Sequence, residues 1–292
     1  MTTNNVIGRP VVGGDFFDRE KEQKRIWRRL ENDNVLLLAP RRVGKTSLLH
    51  RLRDTADQHE VDAVYVSVAD RTREIDFIAR LYEAIAKRDR GAKAVGAALR
   101  RFGRKASFKK LEVAKVFSVE FTNENEQRWQ ELGDALMGVL QETDRQWVIM
   151  VDELPLFVLE LLAHGRPRAR TFLQWFRSIR INQQASLSTR WILAGSIGLD
   201  TVASRERLGD TINDLAVEPL GAFSEHDADR FLETLADSHL LVLLRSRGNE
   251  DGEHHRFLLD ALQNDGYLVL VDERYRFRSP LLRGYWRARV SP

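Results

Sequence analysis

The sequence predicts an α/β fold, a parallel sheet flanked by helices, and three observations carry that expectation. Short apolar runs of strand length recur along the chain. Amphipathic helical segments separate them. Two of the runs end in residues suited to phosphate or metal chemistry.

In chain order, Asp18–Leu30 (DREKEQKRIWRRL) sets Ile26, Trp27 and Leu30 among charges at one-turn spacing, the pattern of an amphipathic helix. Asn34–Leu38 (NVLLL) is a short apolar run between turn residues, as a strand buried on both faces requires. Lys45–Ala56 repeats Leu48, Leu49 and Leu52 at helical spacing, and Asp62–Ala69 (DAVYVSVA) is rich in β-branched residues. Ile75–Lys87 reads as a helix with Ile78, Leu81, Tyr82 and Ile85 as its buried stripe. Arg88–Val119 is basic, glycine-bearing and weakly patterned, so it reads as an excursion from the sheet, a hairpin being one form. Asn125–Gln141 is a helix through Trp129, Leu132, Leu136 and Leu140, and Trp147–Val151 (WVIMV) is the most apolar strand. Ala169–Ile181 carries Phe172, Trp175, Phe176 and Ile179 on one helical face, and Arg190–Ala194 (RWILA) is a further strand. Beyond it come helices at Glu225–Leu235 and His254–Asn264, then the strand pair YLVLV and RYRFR around Asp272-Glu273. The expected divisions are a core at 1–219, an abbreviated helical lid or linker at 220–253, and a small C-terminal unit at 254–292.

Composition bounds the function. The chain has 292 residues, 43% hydrophobic and 30% charged, with no apolar run near the ~18 residues that cross a bilayer. The opening MTTNNVIGRP has neither a charged nor an apolar signal region, so no secretory leader is expected. The absence of cysteine excludes disulfides, thiolate metal sites and cysteine nucleophiles, and the expected setting is the cytoplasm. Net charge is only +3, yet Lys87 to Lys115 holds eleven Lys/Arg against Asp89 and Glu112, and Arg274 onward holds six arginines and no acid. Such clusters meet phosphate backbones or acidic partners, or simply form solvated helix faces.

The chemistry concentrates after the first strand. Ala39-Pro40-Arg41-Arg42-Val43-Gly44-Lys45-Thr46-Ser47 fits the phosphate loop G-x-x-x-x-G-K-[ST] except at its first position. In such a loop backbone N–H groups surround phosphates and the helix N-terminus adds positive potential. Residues 39–47 are therefore the candidate nucleotide-binding set, with Lys45 reaching the β- and γ-phosphates and the Thr46 hydroxyl ligating Mg²⁺. Gly44 lets the backbone approach the phosphates without a Cβ. Ala39 stands at the strand exit, where a Cβ is tolerated at negative φ, and Pro40 fixes that corner.

Hydrolysis needs a second apolar strand ending in acids. WVIMVDE supplies Asp152 for the metal and Glu153 to orient or deprotonate water. RWILAG delivers Ser196 toward the same sheet edge, as a γ-phosphate or water contact or as ordinary turn chemistry. Arg205 and Arg207 are candidates for an arginine finger, or surface arginines.

FFDRE at Phe16–Glu20, APRRVGKTSL, WVIMVDELP, AGSIGL and NDL…EPL together resemble the AAA-type ATPases of the STAND class, in the archaeal and bacterial branch that carries a C-terminal winged helix. The likeness spans Val12 to about Leu235 and resumes at Phe257–Trp286. The resemblance implies a P-loop NTPase fold, ATP and Mg²⁺. It also implies that Phe17, Arg19 and Glu20 lie near the adenine, that Arg42 is the loop arginine, that Ser196 is the sensor and that Pro219 opens the lid. Asp18 replaces the glycine often seen before the arginine, and residues 220–253 are too few for the family's usual lid.

In the terminal unit, Tyr275 and Phe277 alternate with Arg274, Arg276 and Arg278, giving a hairpin with one basic face. It serves DNA phosphates or docking within the chain or on a partner. The expected function is an Mg-dependent ATPase, with Lys45, Glu153 and Ser196 as its catalytic residues, that switches the conformation or assembly of a protein partner or of its own copies in signalling or defence. The alternative is a nucleotide-tuned DNA-binding module with little turnover. Neither reading involves a membrane.

Overall fold

The computed structural model describes residues 19–39, 43–102, 123–185, 188–221, 268–271 and 274–277. The chain divides into two units, Arg19–Gly221 and a second made of Met1–Asp18 with Ala222–Pro292.

The first unit is built on five parallel strands: β1 (Asn34–Leu38), β2 (Asp62–Ser67), β3 (Trp147–Asp152), β4 (Thr189–Ala194) and β5 (Leu215–Pro219). Their order is β2-β3-β4-β1-β5, so β4 lies between β1 and β3. Burial explains the sequence pattern. β3 and β4 are buried along their whole length and need apolar residues on both faces. The edge strand β5 exposes Val217 and is tied down at Glu218, which is buried and accepts from Arg25 and from Arg29 Nε (2.7 Å).

Eight helices are described: α1 (Glu20–Leu30), α2 (Lys45–Asp54), α3 (Glu74–Ala86), α4 (Asp89–Arg101), α5 (Trp129–Leu140), α6 (Leu154–Ala163), α7 (Arg166–Ala185) and α8 (Leu199–Arg205). This is the fold of P-loop NTPases, a parallel sheet with flanking helices. The aromatic centre of the core joins α3, α6, α7 and β4. Phe77 meets Phe172 edge-on at 5.1 Å and stacks on Phe157 at 5.6 Å, and Phe176 meets Trp191 edge-on at 4.9 Å.

The structure departs from the sequence reading in several elements, α8 and β5 among those that went unread. The stretch read as a hairpin-like excursion is helical from Asp89 to Arg101. Ala94, Val95, Ala98, Leu99 and Phe102 recur at helical spacing and are buried among α3 and α5. Gly91, one of the glycines that weaken the pattern there, is a packing residue, since a Cβ would overlap the Ile85 carbonyl at the end of α3. A further departure is α6, whose LPLFVLELLA is apolar nearly all round and shows no clear period. So is the length of α7, which starts at Arg166 because the arginines of its first turn mask the pattern.

In the second unit β6 (Leu268–Val271) and β7 (Arg274–Phe277) pair antiparallel, with Leu268 opposite Phe277 and Val271 opposite Arg274, as the paired runs predict. The expected helices Glu225–Leu235 and His254–Asn264 lie outside the described residues, as does residue 278. Among the described residues no helix is long and apolar enough to cross a membrane.

Candidate functional site

Strand order creates the site. With β4 between β1 and β3, the segments leaving these three strands emerge side by side at the carboxyl edge, where open α/β sheets bind ligands. Val43–Ser47 follows β1, Asp152-Glu153 ends β3, and Gly195-Ser196 follows β4.

Gly44 caps α2 with φ 83° and ψ 22°, a left-handed conformation that favours glycine, and among the described residues beyond its chain neighbours no atom lies within 4 Å of where a Cβ would stand. A helix N-terminus turns its first N–H groups outward with positive potential, the arrangement that suits an anion at this end of α2. Lys45 is buried on this first turn and its ammonium donates to the Gly195 carbonyl at the end of β4. Ser47 is buried on the same turn. Ala39 is not among the residues with positive φ, so the alanine in the glycine position carries no left-handed strain. Pro40, Arg41 and Arg42 lie outside the described residues, as do Phe16, Phe17 and Asp18.

The acid pair divides its labour by geometry. Asp152 is 2% exposed, and its Oδ2 accepts the Thr46 hydroxyl at 2.8 Å while its Oδ1 accepts the Glu153 N–H at 3.0 Å. Thr46 and Asp152 thus offer one hydroxyl and one carboxylate at a single point, a donor set that fits Mg²⁺ when phosphate and water complete its shell. Glu153 has φ 61° and ψ 28° and caps α6, so the chain turns abruptly and throws this carboxylate away from that of Asp152. Its Oε2 accepts both the N–H and the hydroxyl of Ser196, each at 2.8 Å. A non-glycine residue held there costs about 1–3 kcal/mol, and such strain clusters at functional sites. Gly195 permits the contact: a Cβ would overlap the Pro155 ring in the first turn of α6. The structure therefore brings Lys45, Thr46, Asp152, Glu153 and Ser196 to one edge.

Arg19 also reaches this edge. It is 5% exposed with φ 68°, and it donates to Glu22 at 2.8 Å, to the Val43 carbonyl at 3.3 Å and to the Gly221 carbonyl at 2.9 Å, bracing the loop. Arg205 lies apart, its side chain 85% exposed and 3.7 Å from Glu206. Arg207 has φ 54°, and its carbonyl accepts from Arg166 and Arg170 of α7.

Sequence reasoning missed Tyr65 and His50. The Tyr65 hydroxyl donates to Asp152 Oδ2 at 3.1 Å, and its ring lies 4.3 Å from that of His50. Burial, reinforced by the Asp152 charge, pushes the Tyr65 phenol well above its ordinary value, so it stays a donor. Burial, then the Arg53 charge, lowers the His50 imidazole. The available signal was alternation at the end of β2: Tyr65 and Ser67 are half-buried and flank the buried Val66.

The AAA domain family matches residues 29–202. No curated protein matches. Among solved structures, the Walker-type ATPase of Pyrococcus abyssi aligns at 17% identity over 96% of this chain and 99% of its own, with a TM-score of 0.49. The Aeropyrum pernix ORC2 protein aligns at 14% identity over 95% of this chain and 70% of its own, with a TM-score of 0.48. The Aeropyrum pernix ORC1 protein, solved in complex with DNA, aligns at 18% over 94% and 66%, with a TM-score of 0.44.

Proposed function

The chain belongs to the AAA-domain family of P-loop ATPases, and from that premise we propose that it hydrolyses ATP with Mg²⁺ at the edge formed by β1, β3 and β4. One observation carries the reading. Lys45 and Thr46 of the loop bond to groups on the two neighbouring strand ends, Gly195 and Asp152, so phosphate-binding and metal-side residues meet at one place.

The roles follow from the contacts. The N–H groups of residues 43–47 cradle the phosphates, and Lys45 turns from the Gly195 carbonyl to a phosphate oxygen. Thr46 and Asp152 hold Mg²⁺, which when bound offsets the negative charge on the phosphates. Glu153, released from Ser196, takes a proton from the water that attacks the γ-phosphorus, and the bond from that phosphorus to the bridging oxygen breaks to leave ADP. Ser196 senses the γ-phosphate by exchanging Glu153 for it. Arg19 braces the loop through Val43, and an exposed Arg205 or Arg207 acts on a neighbouring copy. The resemblance to the STAND class supports a use for this turnover: switching the conformation or assembly of a protein partner or of the chain itself in signalling or defence. In that reading residues 1–219 are the core, 220–253 an abbreviated lid and 254–292 a winged-helix-like unit, whose basic strand Arg274–Phe277 would meet DNA if ATP served as a ligand with little turnover.

The deciding experiment is steady-state ATP hydrolysis with Mg²⁺, alongside nucleotide binding, for wild type, Lys45→Ala and Glu153→Gln. Turnover lost in both, about 100-fold or more for Glu153→Gln, with binding kept by Glu153→Gln and lost by Lys45→Ala, is the expected result. Nucleotide binding without turnover in the wild type would instead support the DNA-module reading. No binding at all would refute both.

A further inference from the structure

The mechanism above leaves Tyr65 without a role, yet its hydroxyl bonds the same carboxylate oxygen as Thr46. We propose that Tyr65 is a positioning residue, which holds Asp152 Oδ2 where that oxygen and the Thr46 hydroxyl reach one Mg²⁺ ion. The inference rests on the reading of Asp152 as the metal-side carboxylate.

Three donors from three elements fix the Asp152 carboxylate. Thr46 of α2 donates to Oδ2 at 2.8 Å, Tyr65 of β2 to the same oxygen at 3.1 Å, and the Glu153 N–H to Oδ1 at 3.0 Å. A Thr46 hydroxyl that ligates a cation through a lone pair keeps its proton for Oδ2 but must also follow the ion, so its bond alone does not fix the carboxylate. Tyr65 is then the side chain that keeps the oxygen in place.

Sheet register explains why a tyrosine stands here. Ser67 is the residue opposite Asp152, and Tyr65 lies two positions back on the same face. A diagonal neighbour across a strand pair is beyond a short side chain but within reach of an aromatic one. The ring is held from its other side by His50, which lies on α2 one turn beyond Thr46. Tyr65 therefore ties the strand that carries Asp152 to the helix that carries Thr46.

The chemistry favours a neutral donor. Lysine or arginine at this place would orient Asp152 but cancel the charge that attracts the cation. A phenol that keeps its proton orients the oxygen and leaves the carboxylate charge for the metal.

The test is Tyr65→Phe, which keeps the ring and its packing on His50 and removes only the hydroxyl. A fluorescent ATP analogue is titrated onto wild type, Tyr65→Phe and Asp152→Asn, in EDTA and at stepped Mg²⁺ concentrations, with thermal unfolding of each. The expected result is a half-saturating Mg²⁺ concentration raised about 10-fold in Tyr65→Phe, with unchanged affinity in EDTA and an unfolding temperature lowered by no more than about 2–4 °C, as one lost hydrogen bond allows. Tyr65→Phe that follows the wild-type Mg²⁺ curve, beside a shifted Asp152→Asn, overturns the role of Tyr65 alone. So does a loss of affinity equal with and without Mg²⁺, which marks a merely structural group. A wild type whose affinity ignores Mg²⁺ and does not change in Asp152→Asn overturns the metal reading itself, and this proposal with it.

Discussion

The carboxyl edge of the sheet and the helical layer of α3, α6 and α7 meet opposite demands with the same strands. At the edge, buried polar groups bond one another and the backbone bends: Arg19, Gly44 and Glu153 all have positive φ. In the helical layer, fully buried Phe77, Phe157, Phe172 and Phe176 pack ring against ring, and Phe176 meets Trp191. The layer supplies the favourable burial, roughly 1.5–3 kcal/mol for each large apolar side chain. That surplus allows the edge to keep a strained Glu153 at about 1–3 kcal/mol. Stability and chemistry are thus separable by position, and substitutions can test how sharply.

The largest effect belongs to the layer. Phe172→Ala should lower the unfolding free energy by about 3–5 kcal/mol in urea titration, while the fraction still folded binds nucleotide as the wild type does. Weakened nucleotide binding per folded molecule would show that the two regions are coupled.

Gly195→Ala should cross the boundary between them. Its Cβ would overlap the Pro155 ring, so we expect a loss of about 1–3 kcal/mol together with lowered turnover, as Ser196 shifts from Glu153. Unchanged stability would mean that the first turn of α6 yields freely.

Ser196→Ala sharpens the comparison at the edge. It removes one of two donors to Glu153 and leaves the N–H in place, so stability should fall by about 1 kcal/mol while turnover falls much further. Equal effects on both would return Ser196 to turn chemistry. The smallest change is expected at Arg101→Ala, whose pair with Glu142 at 2.6 Å is exposed on the surface. Thermal unfolding should register less than about 1 kcal/mol, with hydrolysis unaltered.

Legibility in the sequence followed physical cause. Three strands of the main sheet, β1, β3 and β4, were readable because double-sided burial forces an apolar run, as in WVIMV and RWILA, and the edge strand β2 was readable from its β-branched residues. β5, at the other edge, was not, because LAVEP has one β-branched residue and carries a glutamate whose partners, Arg25 and Arg29, lie far back in the chain. α4 was obscured by its charge and by glycines, whose packing use at Gly91 depends on α3. At the site, Lys45, Thr46, Asp152, Glu153 and Ser196 announced themselves by residue type at strand ends. Tyr65 did not, because its partner is set by the pairing of β2 with β3.

What the sequence determined by itself is therefore local: strand and helix periods, the left-handed glycine before Lys45, and the acids that end an apolar strand. Each follows from interactions within a few residues or from burial alone. Only the tertiary structure decided that β4 would lie between β1 and β3, so that Ser196 meets Glu153, Lys45 meets Gly195 and Tyr65 meets Asp152. Those contacts join residues 43 to 150 positions apart, and strand order is settled by the packing of the whole sheet rather than by any one segment.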